Sequence, residues 1–170
     1  MRAGAVVDVV VVGNPTIGSR TRRAAEMVAE RLTGTPPATT IELAELGAGL
    51  LGFGDPAVMA AKARVLEAGL VVFASPTFKA SFSGLLKCFL DQFAAGELDG
   101  TPAVALMLGA SPRHALAGEH MLKPVLSEIG ASCPAPALFL LESEWASPPE
   151  LEAWLARATP AYGLGPGRRR

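Results

Sequence analysis

AVVDVVVVGNPTIGSRTRRAAEMVAERL, residues Ala5 to Leu32, contains the change of hydrophobic period on which the fold turns. From Ala5 to Val12 the chain is almost continuously apolar and rich in valine, and Gly13-Asn14-Pro15 stops the run. A short run of this kind reads as a strand buried on both faces. Asp8 interrupts it, and it is far too short to cross a bilayer, so neither a signal peptide nor a membrane span is expected. From Ser19 to Leu32 the period changes. Ala24, Ala25, Val28, Ala29 and Leu32 recur near i, i+4, i+8, which makes one apolar stripe on a helix. Ser19 or Thr21 is placed to cap its start, and Gly34 lies just past its end.

The same order repeats down the chain. Thr39 to Leu43 reads as a second, more polar strand, and Gly47 to Gly54 as a glycine-rich loop. Pro56 to Ala68 follows as a helix, with Pro56 suited to its first turn and Gly69 to its stop. Leu70 to Ala74 is a third strand, which Ser75-Pro76-Thr77 is expected to break. Ser81 to Phe93 reads as a helix, Pro102 to Leu108 as a strand and Ala115 to Ile129 as a helix. Ala137 to Leu141 reads as a fifth strand and Pro149 to Arg157 as a closing helix. Strands alternating with helices, through connections too long for hairpins, imply a parallel sheet covered on both faces. A single domain over residues 1–158 is expected, with 159–170 as a flexible tail dispensable to the fold. Five parallel strands allow a flavodoxin-like order of 2-1-3-4-5 or a Rossmann-type half.

Charge and cysteine content narrow the function. A formal net charge of −1 gives no domain-wide positive field for nucleic acid or an anionic membrane. The basic run Arg168-Arg169-Arg170 ends a Pro/Gly tail and reads as solvated. Cys88 and Cys133 lack metal-ligand spacing and are too few for a disulfide scaffold, so two reduced thiols and a cytoplasmic location are expected. No HExxH or clustered His/Asp/Glu set points to a metal, and no GxSxG elbow to a nucleophile.

In either winding, ligands bind outside the carboxyl ends of the strands. The first such loop, Gly13-Asn14-Pro15-Thr16-Ile17-Gly18-Ser19-Arg20-Thr21, fails the GxGxxG fingerprint because Asn14 and Pro15 replace the second glycine. It fails the Walker pattern because Ser19 stands where the lysine must be. A strand-to-helix turn rich in hydroxyls, beside Arg20, suits a single terminal phosphate monoester held by Ser19, Thr21 and the helix N-terminus. The alternative is that Ser19 merely caps its helix. In the second loop, Ser75 to Lys87, Pro76 shapes an extended turn that presents backbone groups and Phe78 as a wall for a flat heteroaromatic ring. There Phe82 reads as core, Lys79 also as a plain solvated charge, and Gly84 as a point of close helix approach. The third loop, Gly109-Ala110-Ser111-Pro112-Arg113-His114, offers small residues and the start of the fourth helix beside a planar ligand. Its alternative is a simple glycine turn.

With these loops placed, the chain resembles the NAD(P)H-dependent FMN reductases of the flavodoxin-like fold. It is most similar to the branch that feeds reduced flavin to two-component monooxygenases, including those acting on sulfonates. SPTFKASFSGLLKCFLD, Ser75 to Asp91, is similar to that branch's S/T-P-x-Y/F-K-A-S-F/Y-S/T-G-x-L-K signature. LKPVLSEIGA, Leu122 to Ala131, is similar to its fourth helix, and the first loop follows G-S-P-x-x-x-S-R-T/S in part. The resemblance runs from about Val6 to Ala135 and implies the flavodoxin-like three-layer order 2-1-3-4-5. It implies that Ser19, Arg20 and Thr21 hold the FMN phosphate. Pro76, Thr77, Phe78 and Lys79 would line the ribityl chain and ring, and Gly109, Ala110 and Ser111 would back the pyrimidine edge. Asn14 stands where the family usually has serine, and Thr16 where a basic residue is common. Gly109-Ala110 replaces paired glycines, so the added methyl is expected to crowd the ring and loosen the flavin.

The implied reaction is hydride transfer from NADPH or NADH to FMN, with no protein acid or base required. A homodimer or homotetramer and a partner monooxygenase are also implied. Pro124 has no N–H for the carbonyl of His120, four residues back, which leaves room for a widened turn. The branch often carries an aromatic residue or histidine in such a turn, and His120 occupies that place. Two rivals stand beside this reading: a flavin carrier without catalysis, and a degenerate member in which Thr16 and Ala110 have abolished FMN binding.

Overall fold

Valine alternation in the first strand divides the core in two. In the computed structural model, which describes residues 8–164, β1 spans Asp8–Val12 and every residue in it is buried. Val9 and Val11 face one apolar cluster and Val10 and Val12 the other, on opposite sides of the sheet. The expected start of this strand, from Ala5, lies outside the described residues, as does the Arg168-Arg169-Arg170 run.

The sheet holds five strands in the order β2-β1-β3-β4-β5, all parallel. The others are β2 (Thr39–Glu42), β3 (Leu70–Pro76), β4 (Ala103–Gly109) and β5 (Leu138–Leu141). This is the flavodoxin-like order. Helices α1 (Arg20–Thr33) and α5 (Leu151–Ala161) cover one face, packing Ala25, Val28, Trp154 and Leu155 on Val72, Leu106 and Leu140. Helices α2 (Pro56–Leu66), α3 (Gly84–Leu90) and α4 (Lys123–Glu128) cover the other, packing Val58, Leu86, Phe89 and Leu126 on Val71, Phe73 and Met107.

The helix ends follow their capping chemistry. Ser19 accepts the Arg22 N–H at the start of α1, and Gly34, at φ 84°, closes its end. Asp55 caps α2, with Pro56 in the first turn.

Six expectations need correction. First, β3 is not broken at Ser75 but continues through Pro76, paired with β4 as far as Leu108. Its pairing with β1 ends at Ala74, so the missing Pro76 N–H leaves no ladder acceptor empty. Second, α3 begins at Gly84 rather than Ser81, because Phe78 and Ser81 exchange backbone hydrogen bonds and Ser83 becomes the cap. Third, Gly84 is exposed with open space around it. The close approach is at Gly13, where a Cβ would stand 2.7 Å from the Leu86 Cβ.

Fourth, Gly47 to Gly54 is not open loop throughout: Gly47–Leu51 winds into a 3₁₀ turn that buries Leu50. Fifth, the helix expected over Ala115 to Ile129 is divided. A 3₁₀ turn at Pro112–His114 leads to a π turn at Gly118–Leu122, and α4 proper starts at Lys123. The Lys123 N–H bonds the Gly118 carbonyl, five residues back, immediately before Pro124. The widened turn inferred from Pro124 is therefore present. Gly118 sits where a Cβ would come within 2.8 Å of the Ala137 Cβ. Sixth, α5 runs past Arg157, Ala158 is fully buried, and the Tyr162 hydroxyl donates to the Ala103 carbonyl at 2.7 Å. The helix thus continues to Ala161, and Tyr162 and Leu164 pack against the core beyond it. The remainder of the expected tail lies outside the described residues.

Candidate active site

β1 delivers the first loop to the C-terminal edge of the sheet, where its own polar groups shape it. Asn14 is the pivot. Its Oδ1 accepts the Thr16 N–H at 2.9 Å, and its Nδ2 donates to Thr21 Oγ1 at 2.9 Å. Gly18 takes φ +66°, a conformation that favours glycine, and its N–H points at both carboxylate oxygens of Glu42, each at 3.0 Å. Glu42 ends β2, is almost fully buried, and is neutralised by Arg22 at 2.8 Å. Hydrogen bonds to Glu26 and then Glu42 push the Arg22 pKa further up, so it stays a cation.

Two hydroxyls in this loop have an unusual balance. Ser19 Oγ accepts the Arg22 N–H at 3.3 Å, and Thr21 Oγ1 accepts from Asn14. Neither donates to any group among the described residues. Both protons are therefore free for an acceptor that comes from outside. They border a cavity of about 300 Å³, lined also by Asn14, Thr16, Arg20 and Arg23. The sequence reading missed Arg23, Leu108 and Glu142 in its wall. Arg23 was legible as a third guanidinium in the first turn of α1, after Arg20 and Arg22, and its group sits 5.4 Å from the centre of the Trp145 ring. Glu142 lies just past β5, a strand end that no motif marks. Arg20 Nη1 donates to the Glu142 carbonyl at 3.3 Å and lies 3.8 Å from its Oε2.

The second loop is fastened from within. Ser75 Oγ donates to the Pro76 carbonyl at 2.8 Å and accepts the Ser83 N–H at 2.8 Å. Ser83 Oγ donates to the Gly13 carbonyl at 2.5 Å and accepts the Leu86 N–H at 3.1 Å. These bonds tie the loop to the exit of β1. Lys79 and Ala80 both take positive φ, 51° and 63°, in the tight turn between Phe78 and Ser81. Neither is a glycine, so this turn stores strain. Phe78 is half exposed, and Lys79 has no ion-pair partner among the described residues. Phe82 packs against the core, as expected.

Thr77 joins the second loop to the third. Its N–H donates to the Leu108 carbonyl at 2.7 Å, while its buried Oγ1 has no hydrogen-bond partner among the described residues. That oxygen lies 3.2 Å from where a Gly109 Cβ would stand, and the Phe139 ring comes within 2.7 Å of the same point. Gly109 is thus required by Phe139 and not only by a ligand. Ala110 is exposed, and Ser111 Oγ accepts the Arg113 N–H at 3.3 Å. The expected helix N-terminus here is corrected to a three-residue 3₁₀ turn, too short to provide a helix dipole of useful size. His120 is exposed in the π turn, beside a shallow apolar hollow lined by Ala80, Leu116 and Met121.

The strand order therefore brings all three loops to one edge. Thr16, Ser19, Arg20 and Thr21 line one cavity with Asn14, while Pro76 and Thr77, followed by Phe78 and Lys79, meet the end of β4 at Leu108 and Gly109, just before Ala110 and Ser111. The residues fit FMN in two respects. Free hydroxyl protons and two guanidiniums suit its phosphate, and the partnerless Thr77 Oγ1 suits a polar edge of its ribityl chain or ring. Among the described residues there is no group of three or more candidate metal ligands, and no helix long and apolar enough to cross a membrane.

Residues 9–146 match the family model for NADPH-dependent FMN reductase. The chain belongs to this family. The apo crystal structure of an NADH:FMN oxidoreductase, EMOB, is 26% identical with a TM-score of 0.81, covering 96% of this chain and 92% of that one. An oxidoreductase from Corynebacterium diphtheriae is also 26% identical, with a TM-score of 0.77 and 94% of each chain covered. The NAD(P)H:quinone oxidoreductase of Methanothermobacter marburgensis, 17% identical with a TM-score of 0.61, shares the fold of this FMN reductase family member. No curated protein sequence matches the chain significantly.

Proposed function

We propose that the protein is an NAD(P)H:FMN oxidoreductase whose first loop holds the FMN phosphate. The observation that carries this reading is the pair of hydroxyls, Ser19 and Thr21, that accept hydrogen bonds but donate none beside a cavity holding Arg20 and Arg23. When bound, FMN supplies the ring that takes a hydride from the nicotinamide. Ser19 and Thr21 donate to the phosphate, and the two arginines offset its charge. Asn14 donates to Thr21 Oγ1 and leaves the hydroxyl proton for the ligand, and Thr16 borders the same space without adding charge. Thr77 Oγ1 donates to a polar edge of the flavin. Phe78 walls the ring and Lys79 stands at the mouth. Pro76 fixes the backbone before them, and the Gly109-Ala110-Ser111 backbone lies along the far edge. With no side chain needed as acid or base, the site works by orienting the two rings and keeping water out.

Its place beside a two-component monooxygenase, such as one acting on sulfonates, rests on the Ser75 to Asp91 signature. Assembly as a homodimer or homotetramer and a cytoplasmic location belong to the same reading. The test is a fluorescence titration with FMN, FAD and riboflavin, paired with NADPH and NADH oxidation in the presence of FMN. FMN should bind at least tenfold more tightly than riboflavin, about 1.4 kcal/mol, and stimulate oxidation. Equal affinity for FMN and riboflavin would remove the phosphate site; tight binding without oxidation would favour the carrier reading.

A further inference from the structure

We propose that Glu142 sets how tightly the flavin phosphate is held, by competing with it for Arg20. This rests on the phosphate reading above. Arg20 and Glu142 come from opposite ends of the chain and meet across the wall of one cavity. The contact has two parts with different consequences. The guanidinium donates to the Glu142 backbone carbonyl at 3.3 Å, which holds it at the rim whatever the side chain is. The carboxylate stands 3.8 Å from the same nitrogen.

Both side chains are partly exposed, 56% for Arg20 and 36% for Glu142, so the ion pair is weak and an incoming dianion can replace it. Replacing it has a cost, because the Arg20–Glu142 pairing is given up when the phosphate takes the guanidinium. Glu142 is the one carboxylate among the described residues lining this cavity. The other acid nearby, Glu42, is buried against Gly18 and Arg22, so its charge is already compensated. Arg23, the second cation, rests over Trp145 and has no carboxylate partner among the described residues. The cavity thus holds two cations and one removable anion, which favours a flavin that binds and leaves over one that stays.

The test is Glu142→Gln, read by titration with FMN and with riboflavin at low and high ionic strength. FMN affinity should rise about three- to tenfold at low salt, riboflavin affinity should move less than twofold, and the gain should shrink as salt screens the charges. In an Arg20→Ala background the gain should vanish. Thermal unfolding checks that the variant is folded, and Glu142→Ala serves if it is not. Unchanged FMN affinity, in a protein that prefers FMN to riboflavin, would overturn the proposal and leave the phosphate site standing. An equal gain without Arg20 would overturn it in favour of direct repulsion. No preference for FMN over riboflavin in the unmodified protein would overturn the phosphate reading, and this proposal with it.

Discussion

The first and second loops leave neighbouring strands at the same edge of the sheet, yet they use their hydroxyls in opposite ways. In the loop from Ser75 to Ser83, the two buried serines, Ser75 and Ser83, both donate and accept within the protein. In Gly13 to Thr21, Ser19 and Thr21 accept and keep their protons. The buried serines of the segment most similar to a family signature are therefore held as scaffold, while Ser19 and Thr21 of the looser match next to it, together with Thr77, carry the hydroxyls left for a ligand. A signature can mark a site partly through residues that never touch what the site binds.

Four variants test this contrast. Ser83→Ala should have the largest effect. It removes the α3 cap and strands the buried Gly13 carbonyl, for a loss of about 2–4 kcal/mol in chemical unfolding. A loss below about 1 kcal/mol would show that the scaffold role is overstated. The Ser19→Ala/Thr21→Ala pair should lower FMN affinity by about 1–3 kcal/mol in fluorescence titration while sparing riboflavin. Equal losses for both flavins would erase the contrast, since the hydroxyls would then be scaffold too.

Relieving the strained turn comes next. Lys79→Asn with Ala80→Gly places the preferred residues at two positive-φ positions and should stabilise the protein by about 1 kcal/mol, raising Tm by roughly 2–4 °C. Loss of the Lys79 amine should be felt only in flavin or nicotinamide binding. The smallest effect is expected from Thr77→Val. Removing a partnerless buried hydroxyl should leave stability unchanged or raise it by up to about 1 kcal/mol, and should weaken FMN binding by about 1 kcal/mol. Lost stability without lost affinity would place Thr77 with the serines of its own loop.

Parts of the site were legible in residue order, and parts were not. Asn14, Thr16, Ser19, Arg20 and Thr21 follow one another along a single turn, so their common cavity could be read directly. The widened turn before Pro124 could be read too, since a missing N–H is a property of one residue. Gly84 and Gly13 show the limit. A glycine that opens a helix looked like the close contact, but the contact is at Gly13, where α3 crosses the exit of β1. Which glycine is crowded depends on what lies across from it, and period and spacing carry no such information. The end of α5 is hidden for the same reason, because Tyr162 is held by a carbonyl of β4, 59 residues away in the chain.

By itself the sequence determined the alternation of strands and helices, the buried character of β1 and β3, the capped ends of α1 and the three loops that face one edge. These follow from local preferences: side-chain period, glycine and proline geometry, and hydroxyls beside free N–H groups. Only the tertiary structure decided that Glu42 reaches back to Gly18 and that Glu142 meets Arg20 across 122 residues of chain. It also decided that Phe139 and Thr77 crowd Gly109. Each of these contacts joins residues that become neighbours through the 2-1-3-4-5 strand order. The distances across that edge, and so the balance of charge in the cavity, exist only once the sheet has closed.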